Sequence, residues 1–257
     1  MNSNSPLKDR AIVITRPAGE AQRLTALIRE AGGVPLLYPA IEILDAPDPR
    51  ALDAVIERLD DFDLAIFISP SAVEKAMTRI SARRALPAKL RCAAIGPGGV
   101  RALQRFGITG VIAPQGRFDS ESLLASTFMQ NVTGKNVVIF RGDGGRELLA
   151  DTLTARGAQV ESVTCYRRAK PALDTAPLLD AWSRGEVAAV IVTSSEGLRN
   201  FCEMLGAPGA AFLRNTLMIV PHPRIAAVAR ELRMTCVVES ASGDEALVAT
   251  VIRQLCG

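Results

Sequence analysis

The chain carries one pattern twice, half a length apart. "AIVITRPAGEAQRLTALIREAGGVP" (Ala11–Pro35) aligns with "NVVIFRGDGGRELLADTLTARGAQV" (Asn136–Val160). Arg16 then falls over Arg141, Leu24 over Leu149 and Gly32 over Gly157, each at an offset of 125. "FISPSAVEKAM" (Phe67–Met77) and "VTSSEGLRNFCEM" (Val192–Met204) set Ser69 over Ser194 at the same offset. Further on, "AIGPGGVRALQRFGI" resembles "IVPHPRIAAVARELRM" with Pro97 over Pro223 at 126, and "DSESLL" resembles "GDEALV" with Glu121 over Glu245 at 124. Ordered blocks that hold one register point to an internal duplication. Whatever one half folds into, the other is expected to fold into as well.

Each copy alternates short apolar strands with amphipathic helices. In the first, strands are expected near Ala11–Thr15, Leu64–Ile68, Arg91–Ile95 and Gly110–Ala113, and helices near Gly19–Ala31, Ser71–Ile80, Gly99–Phe106 and Ser120–Gln130. The first helix shows helical spacing at Leu24, Leu27 and Ile28 and a Gly32-Gly33 stop. The second copy places strands near Val137–Phe140, Ala188–Thr193, Leu217–Val220 and Cys236–Glu239. Apolar strands alternating with helices predict an α/β fold of parallel sheets covered on both faces.

Two segments exceed a plain α/β unit. "VPLLYPAIEILDA" (Val34–Ala46) and "QVESVTCYRRAK" (Gln159–Lys170) are both extended and about twice the usual strand of ~5 to 6 residues. Pro39 interrupts the first, and a proline inside a central strand removes a ladder hydrogen bond. A strand this long can leave one sheet and run into another, which would interleave two domains. Two sequential domains split near Thr133 are the plainer layout, and the residues alone leave both open.

Composition narrows the function classes. At 257 residues the chain is long enough for two domains. Apolar residues make up 48%, charged residues 22%, and the formal charge is +3, which does not by itself argue for nucleic acid. The start "MNSNSPLKDR" has no apolar h-region, and no apolar run reaches the ~18 to 20 residues of a membrane span. Five cysteines (Cys92, Cys165, Cys202, Cys236, Cys256) lack CxxC spacing and read as reduced thiols of a cytoplasmic protein. With one histidine in the chain, no metal site is expected.

In open α/β sheets, ligands bind beyond the carboxyl ends of the strands. The turns expected there hold Thr15 and Arg16, Ser69 and Ser71, Gly96 and Gly98, Arg141 and Gly142, Ser194 and Ser195, and His222 and Arg224. Such turns expose backbone N–H groups at helix N-termini, which suit anions. Arg16, Arg141, Arg146 and Arg224 add charge-assisted donors for carboxylate or phosphate. The bland readings stand beside these. Ser69 and Ser195 can be helix N-caps and nothing more. "GDGG" (Gly142–Gly145) does not complete GxGxxG, and no GxxxxGK[ST] is present, so nucleotide sites are poorly supported. His222 has no Ser–Asp partners that suggest a triad. Tyr166 stands out in the second extended segment. It is either a strand-forming aromatic that packs against a domain face or a phenol placed to donate a proton.

Taken in order, "VITRPAG", "FISPSAV", "AIGPGG", "VVIFRGDGGRE", "SVTCYRRA" and "VTSSEGL" resemble the uroporphyrinogen-III synthase family over essentially the whole chain. The resemblance implies two similar parallel-sheet (flavodoxin-like) α/β domains joined by a two-stranded β-ladder. One domain would comprise 1–36 plus 170–257 and the other 44–160, with 37–43 and 161–169 as linker strands. It implies a cofactor-free reaction in which linear hydroxymethylbilane loses its terminal hydroxyl as water. The ring closes with inversion of the last pyrrole, through a spiro-pyrrolenine, to uroporphyrinogen III for haem, sirohaem and cobalamin. The substrate carries two carboxylate arms on each pyrrole, so two anion-binding rims would hold it. Tyr166 becomes the candidate general acid for the departing hydroxyl. A transient contact with the preceding pathway enzyme is the further partner implied, with neither nucleic acid nor membrane. The turns after "GP" in the family often carry a threonine two residues past the proline; here those positions are Gly99 and Ile225, so backbone donors or His222 would replace the hydroxyls. Two other readings remain: a non-catalytic two-lobe module for an anionic small molecule, and a dinucleotide-dependent enzyme, which the incomplete glycine fingerprint disfavours.

Overall fold

The computed structural model describes residues 5–144 and 147–256. Arg146 and Gly145, read above as part of a rim turn, lie outside the described residues. In chain order the strands are β1 (Ala11–Ile14), β2 (Val34–Leu37), β3 (Glu42–Asp45), β4 (Leu64–Phe67), β5 (Arg91–Ala94), β6 (Asn136–Gly142), β7 (Gln159–Ala169), β8 (Val187–Ile191), β9 (Leu217–Val220) and β10 (Val237–Glu239). The α-helices are α1 (Gln22–Glu30), α2 (Arg50–Glu57), α3 (Pro70–Ser81), α4 (Pro97–Arg105), α5 (Ser120–Leu124), α6 (Thr127–Gln130), α7 (Leu148–Ala155), α8 (Ala176–Ser183), α9 (Ser195–Asn215), α10 (Pro223–Glu231) and α11 (Asp244–Cys256).

The chain divides into two compact units. One takes the residues up to Glu42 together with those from Ala169 onward; the other is Ile43–Arg168. The first unit holds a five-stranded sheet in the order β10-β9-β8-β1-β2, and the second a five-stranded sheet in the order β3-β7-β6-β4-β5. The pairs β1–β2, β1–β8, β8–β9, β9–β10, β4–β5, β4–β6 and β6–β7 are all parallel. Counted within the first unit, the strand order is 2-1-3-4-5.

Burial explains why these segments form central strands. "AIVI" of β1 and "LAIF" of β4 are buried at every position. A strand covered by helices on both faces needs such a continuous apolar run. Alternation then divides the side chains between two cores: Val13 packs with Val190 and Met218 on one face, and Ile12 and Ile14 with Leu24 and Leu247 on the other. The second unit does the same with Ala65 and Phe67 against Leu64 and Ile66. Phe67 and Phe140 stack at 4.9 Å between ring centroids, tying β4 to β6. After α1 and α7 the chain turns at Gly32 and Gly157, each with φ of 84°, a left-handed conformation that only glycine adopts freely.

Several sequence expectations need correction. The segment 34–46 is not one long strand. It breaks around Pro39 into β2 and β3, which belong to different sheets. The helix expected over Ser120–Gln130 is two, α5 and α6, because Ser126 takes extended backbone between them. The strand expected at Gly110–Ala113 is a single bridge from Ala93 to Ile112. Gly110 has φ of 66° and Pro114 follows, so an extended ladder cannot continue on either side. Helices α2 and α8 were not anticipated, and α9 breaks at Gly206, two residues before Pro208. Among the described residues no helix is long and apolar enough to cross a membrane.

Candidate active site

The carboxyl ends of β4, β5 and β6 bring a group of the expected residues together in the second unit. Ser69 ends the β4 connection in extended backbone and caps α3, its Oγ accepting from the Ala72 N–H at 3.0 Å. A serine oxygen satisfies one of the orphan donors of the first turn, which is why serine precedes the helix here. Gly96 caps α4 with no side chain. A Cβ at Gly98 would lie 3.0 Å from Pro70 Cγ, so this glycine lets the starts of α3 and α4 approach. Phe118 lies beside Gly96 and is 53% exposed. Ser71 is buried within the first turn of α3.

Tyr166 meets this group from beneath. Arg141 of β6 pairs with Thr164, but Gly142 pairs with Tyr166, so Cys165 is an extra residue and β7 is bulged. Strict alternation would turn Tyr166 away from the face that Cys165 occupies. The bulge re-aims it, and Val163, Cys165 and Tyr166 all enter one core. Tyr166 is only 1% exposed, and its hydroxyl lies 3.1 Å from Ser69 Oγ. The ring slides directly over Gly142, where a Cβ would fall 2.6 Å from ring carbons. Cys165 also ties the bulge to β6: its Sγ bonds the Arg141 carbonyl oxygen at 3.1 Å. Burial pushes the Cys165 thiol up to about 12. It is therefore an inert structural thiol.

The first unit arranges its turns differently. Ser194 caps α9, its Oγ accepting from Gly197 N–H at 2.9 Å. The cap is Ser194 and not Ser195, because the extended backbone ends at Ser194 and Ser195 is already the first helical residue. Ser195 Oγ is buried and has no hydrogen-bond partner among the described residues. His222 caps α10, and its Nδ1 accepts from the Arg224 backbone N–H at 3.1 Å. That acceptor role puts the proton of the neutral ring on Nε2. The Arg224 side chain is exposed. Gly99 and Ile225, the positions without the threonine, are buried beneath the α4 and α10 starts.

Three expected ligand groups are already committed internally. Thr15 is 4% exposed and its hydroxyl donates to the Ile191 carbonyl. Arg16 pairs with Asp244 at 2.5 Å and reaches Thr193 Oγ1 at 3.3 Å. Arg141 holds Glu147 at 2.7 and 2.8 Å and the Gly144 carbonyl at 2.8 Å. The arginines are thus girders, Arg141 within its own turn and Arg16 to the distant Thr193 and Asp244, rather than free charges, a use that sequence reasoning missed. Asp244 was legible only as an acid in a helix first turn, a position the helix dipole favours. Glu147, six residues past Arg141, gave no signal.

Two five-stranded α/β units, with Ser69 and Ser194 capping helices beyond their strand ends, define the class as an α/β protein. The particular family is shown by comparison: the chain belongs to the uroporphyrinogen-III synthase family. Residues 22–249 match the family described as Uroporphyrinogen-III synthase HemD. The uroporphyrinogen-III synthase of Escherichia coli (strain K12) is 34% identical over 224 residues, covering 86% of this chain and 91% of that protein. That of Synechococcus elongatus is 30% identical over 210 residues, covering 80% and 78%. In fold, the chain is similar to uroporphyrinogen-III synthetase from Helicobacter pylori 26695, with a TM-score of 0.61, 16% identity and coverage of 95% and 99%.

Proposed function

We propose that the chain cyclises linear hydroxymethylbilane to uroporphyrinogen III, with inversion of the terminal pyrrole and loss of water, in tetrapyrrole biosynthesis. The carrying observation is the family match over residues 22–249. The non-catalytic binding module is disfavoured, because the curated relatives are named as synthases. A cytoplasmic location belongs to the same reading and is supported by five free cysteines.

The physics of the reaction suits these rims. No nucleophile of the protein is needed, because the substrate reacts with itself. Free hydroxymethylbilane closes without inversion, so the protein's work is to hold the chain in the bent, inverted geometry. Positioning can supply ~7 to 11 kcal/mol in well-oriented intramolecular reactions. Backbone N–H groups at Gly96 and Gly98, the Ser194 hydroxyl, and the exposed His222 and Arg224 are the proposed contacts for the carboxylate arms, while Ser69 is proposed to meet the reacting end of the substrate. Thr15, Arg16, Ser71, Arg141 and Ser195 shape the turns that carry them, and Gly142 makes room for Tyr166. Because the free substrate closes wrongly, a brief handover contact with the enzyme that makes it is part of the proposal.

The purified chain is expected to convert hydroxymethylbilane to the III isomer with no added metal or nucleotide. Isomers I and III are separated after oxidation. Formation of isomer I alone, at the rate of the protein-free control, would reject this function.

We further propose that the two units arose by duplication as flavodoxin-like domains, and that 37–43 and 161–169 form a two-stranded ladder joining them. Matching element positions support the first part. Strands β1 and β6 begin 125 residues apart, β5 and β9 begin 126 apart, and α4 and α10 begin 126 apart. The second part is supported by β2 and β3 entering different sheets and by the 11-residue length of β7. An experimental structure should pair 37–43 antiparallel with 161–169 and superpose the sheets at that offset. A clean break near Thr133, with no such ladder, would defeat the ladder, and sheets that fail to superpose at that offset would defeat the duplication.

A further inference from the structure

We propose that Ser69 and Tyr166 form a two-hydroxyl proton relay, in which Ser69 faces the departing hydroxyl and Tyr166 supplies the proton from behind. The inference rests on the synthase reading above. Its starting point is burial. Tyr166 is 1% exposed, so its phenol does not reach a ligand at the rim directly. Ser69, half-buried at the start of α3, stands between Tyr166 and the strand-end rim, 3.1 Å from the phenol oxygen.

The direction of the hydrogen bonds follows from the donor count. Ser69 Oγ has two acceptor lone pairs and one proton. The Ala72 N–H can only donate, and it occupies one lone pair. If Ser69 donated to Tyr166, the phenol proton would be buried without an acceptor among the described residues, a costly arrangement. With Tyr166 donating, both serine lone pairs are filled and the serine O–H is free to point outward. The chain Tyr166 Oη–H to Ser69 Oγ–H to the substrate oxygen is then complete.

In the reaction, the C–O bond of the terminal hydroxymethyl group breaks, its electron pair leaving with oxygen. Ser69 gives its proton to that oxygen, which departs as water, and Ser69 takes the phenol proton in turn. The freed methylene carbon bonds the substituted α-carbon of the last pyrrole, giving the spiro-pyrrolenine. The original methylene bond at that carbon then breaks, the released methylene bonds the unsubstituted α-carbon of the same ring, and that carbon sheds its proton. That proton returns through Ser69 to the phenolate. The sum is loss of one water, and both hydroxyls are restored.

The test is a series at Ser69 read by kcat and KM with hydroxymethylbilane. Ser69→Ala removes both cap and relay. Ser69→Asn keeps a capping oxygen for Ala72 but cannot pass a proton. Ser69→Thr keeps both. The expected result is that Ala and Asn each lower kcat by about 10²- to 10⁴-fold, the usual range for a proton-transfer group. KM should change less than about threefold, and Thr should recover most of the rate. Ser69→Ala combined with Tyr166→Phe should be no slower than either alone, since a broken relay breaks once. Asn at or near the parent kcat, or multiplying effects in the double variant, would overturn the relay. Failure of the synthase reading is seen separately, as a parent protein that makes no III isomer.

Discussion

Tyr166→Phe is expected to lower kcat by about 10²- to 10⁴-fold while leaving KM within about threefold and the fold intact. The substitution removes one oxygen and keeps the ring. Tyr166 packs in the same core as Phe67, Phe140 and Val163, and a phenylalanine ring fills that space equally. The lost hydrogen bond is neutral and contributes about 0.5–1.5 kcal/mol to stability. Ser69 keeps its bond from Ala72 and can turn its own proton outward, so less than that is lost. The rate suffers more because the phenol acts only as the hydroxyl departs, and interactions made only in the transition state fall wholly on kcat.

Water cannot easily replace the phenol. A site needs room for about one probe sphere and two or more polar partners to hold a water. Beneath Ser69 the space is filled by the ring and by Gly142. Single-turnover rates with hydroxymethylbilane, beside thermal melting, measure both halves of the expectation. A Tyr166→Phe rate within about twofold of the parent would retire Tyr166 as the proton source. It would leave the phenol as packing alone, the bland reading of a strand aromatic.

What the sequence made legible depended on range. Strands such as "AIVI" and "LAIF" declared themselves because a strand buried on both faces needs an unbroken apolar run. The helix expected from Gly99 starts two residues earlier at Pro97, and α10 likewise starts at a proline, Pro223, because proline suits the first turn, where its missing N–H costs nothing. Ser69 and Tyr166 were each visible as candidates, but their meeting was not. It depends on a register shift between β6 and β7, and a bulge is a property of two strands rather than one. Read along β7 alone, Tyr166 faces away from Cys165. The arginines failed for a related reason. Arg16 finds its carboxylate 228 positions away at Asp244, so its charge looked free in the sequence and is neutralised in the fold. Gly142 looked like one more rim glycine, because the side chain that needs its space lies across the sheet.

That glycine carries the second large effect. In the present geometry a Cβ at Gly142 falls 2.6 Å from Cε2 and Cζ of Tyr166 and 2.9 Å from its hydroxyl oxygen. Contacts under 3.0 Å are not tolerated, so either the strand or the ring must move. The strand is held. Asp143 N–H bonds the Tyr166 carbonyl at 2.9 Å, and Cys165 Sγ bonds the Arg141 carbonyl. The ring is the softer element, although the Arg168 guanidinium stands 5.9 Å from its centroid. Gly142→Ala should therefore push the phenol off Ser69. Overpacking of this kind costs about 1–3 kcal/mol, visible as a lower Tm. Turnover should fall to about the level of Tyr166→Phe, because the displaced hydroxyl no longer reaches Ser69. The two losses can be separated. In the Tyr166→Phe background the ring still clashes, so Gly142→Ala should again lower Tm. It should cost no further kcat, since no hydroxyl remains to be displaced. A Gly142→Ala protein with parental kcat would show that the phenol's position does not govern the reaction. An equal fractional loss of kcat in both backgrounds would show that Gly142 acts on the site by some route other than Tyr166.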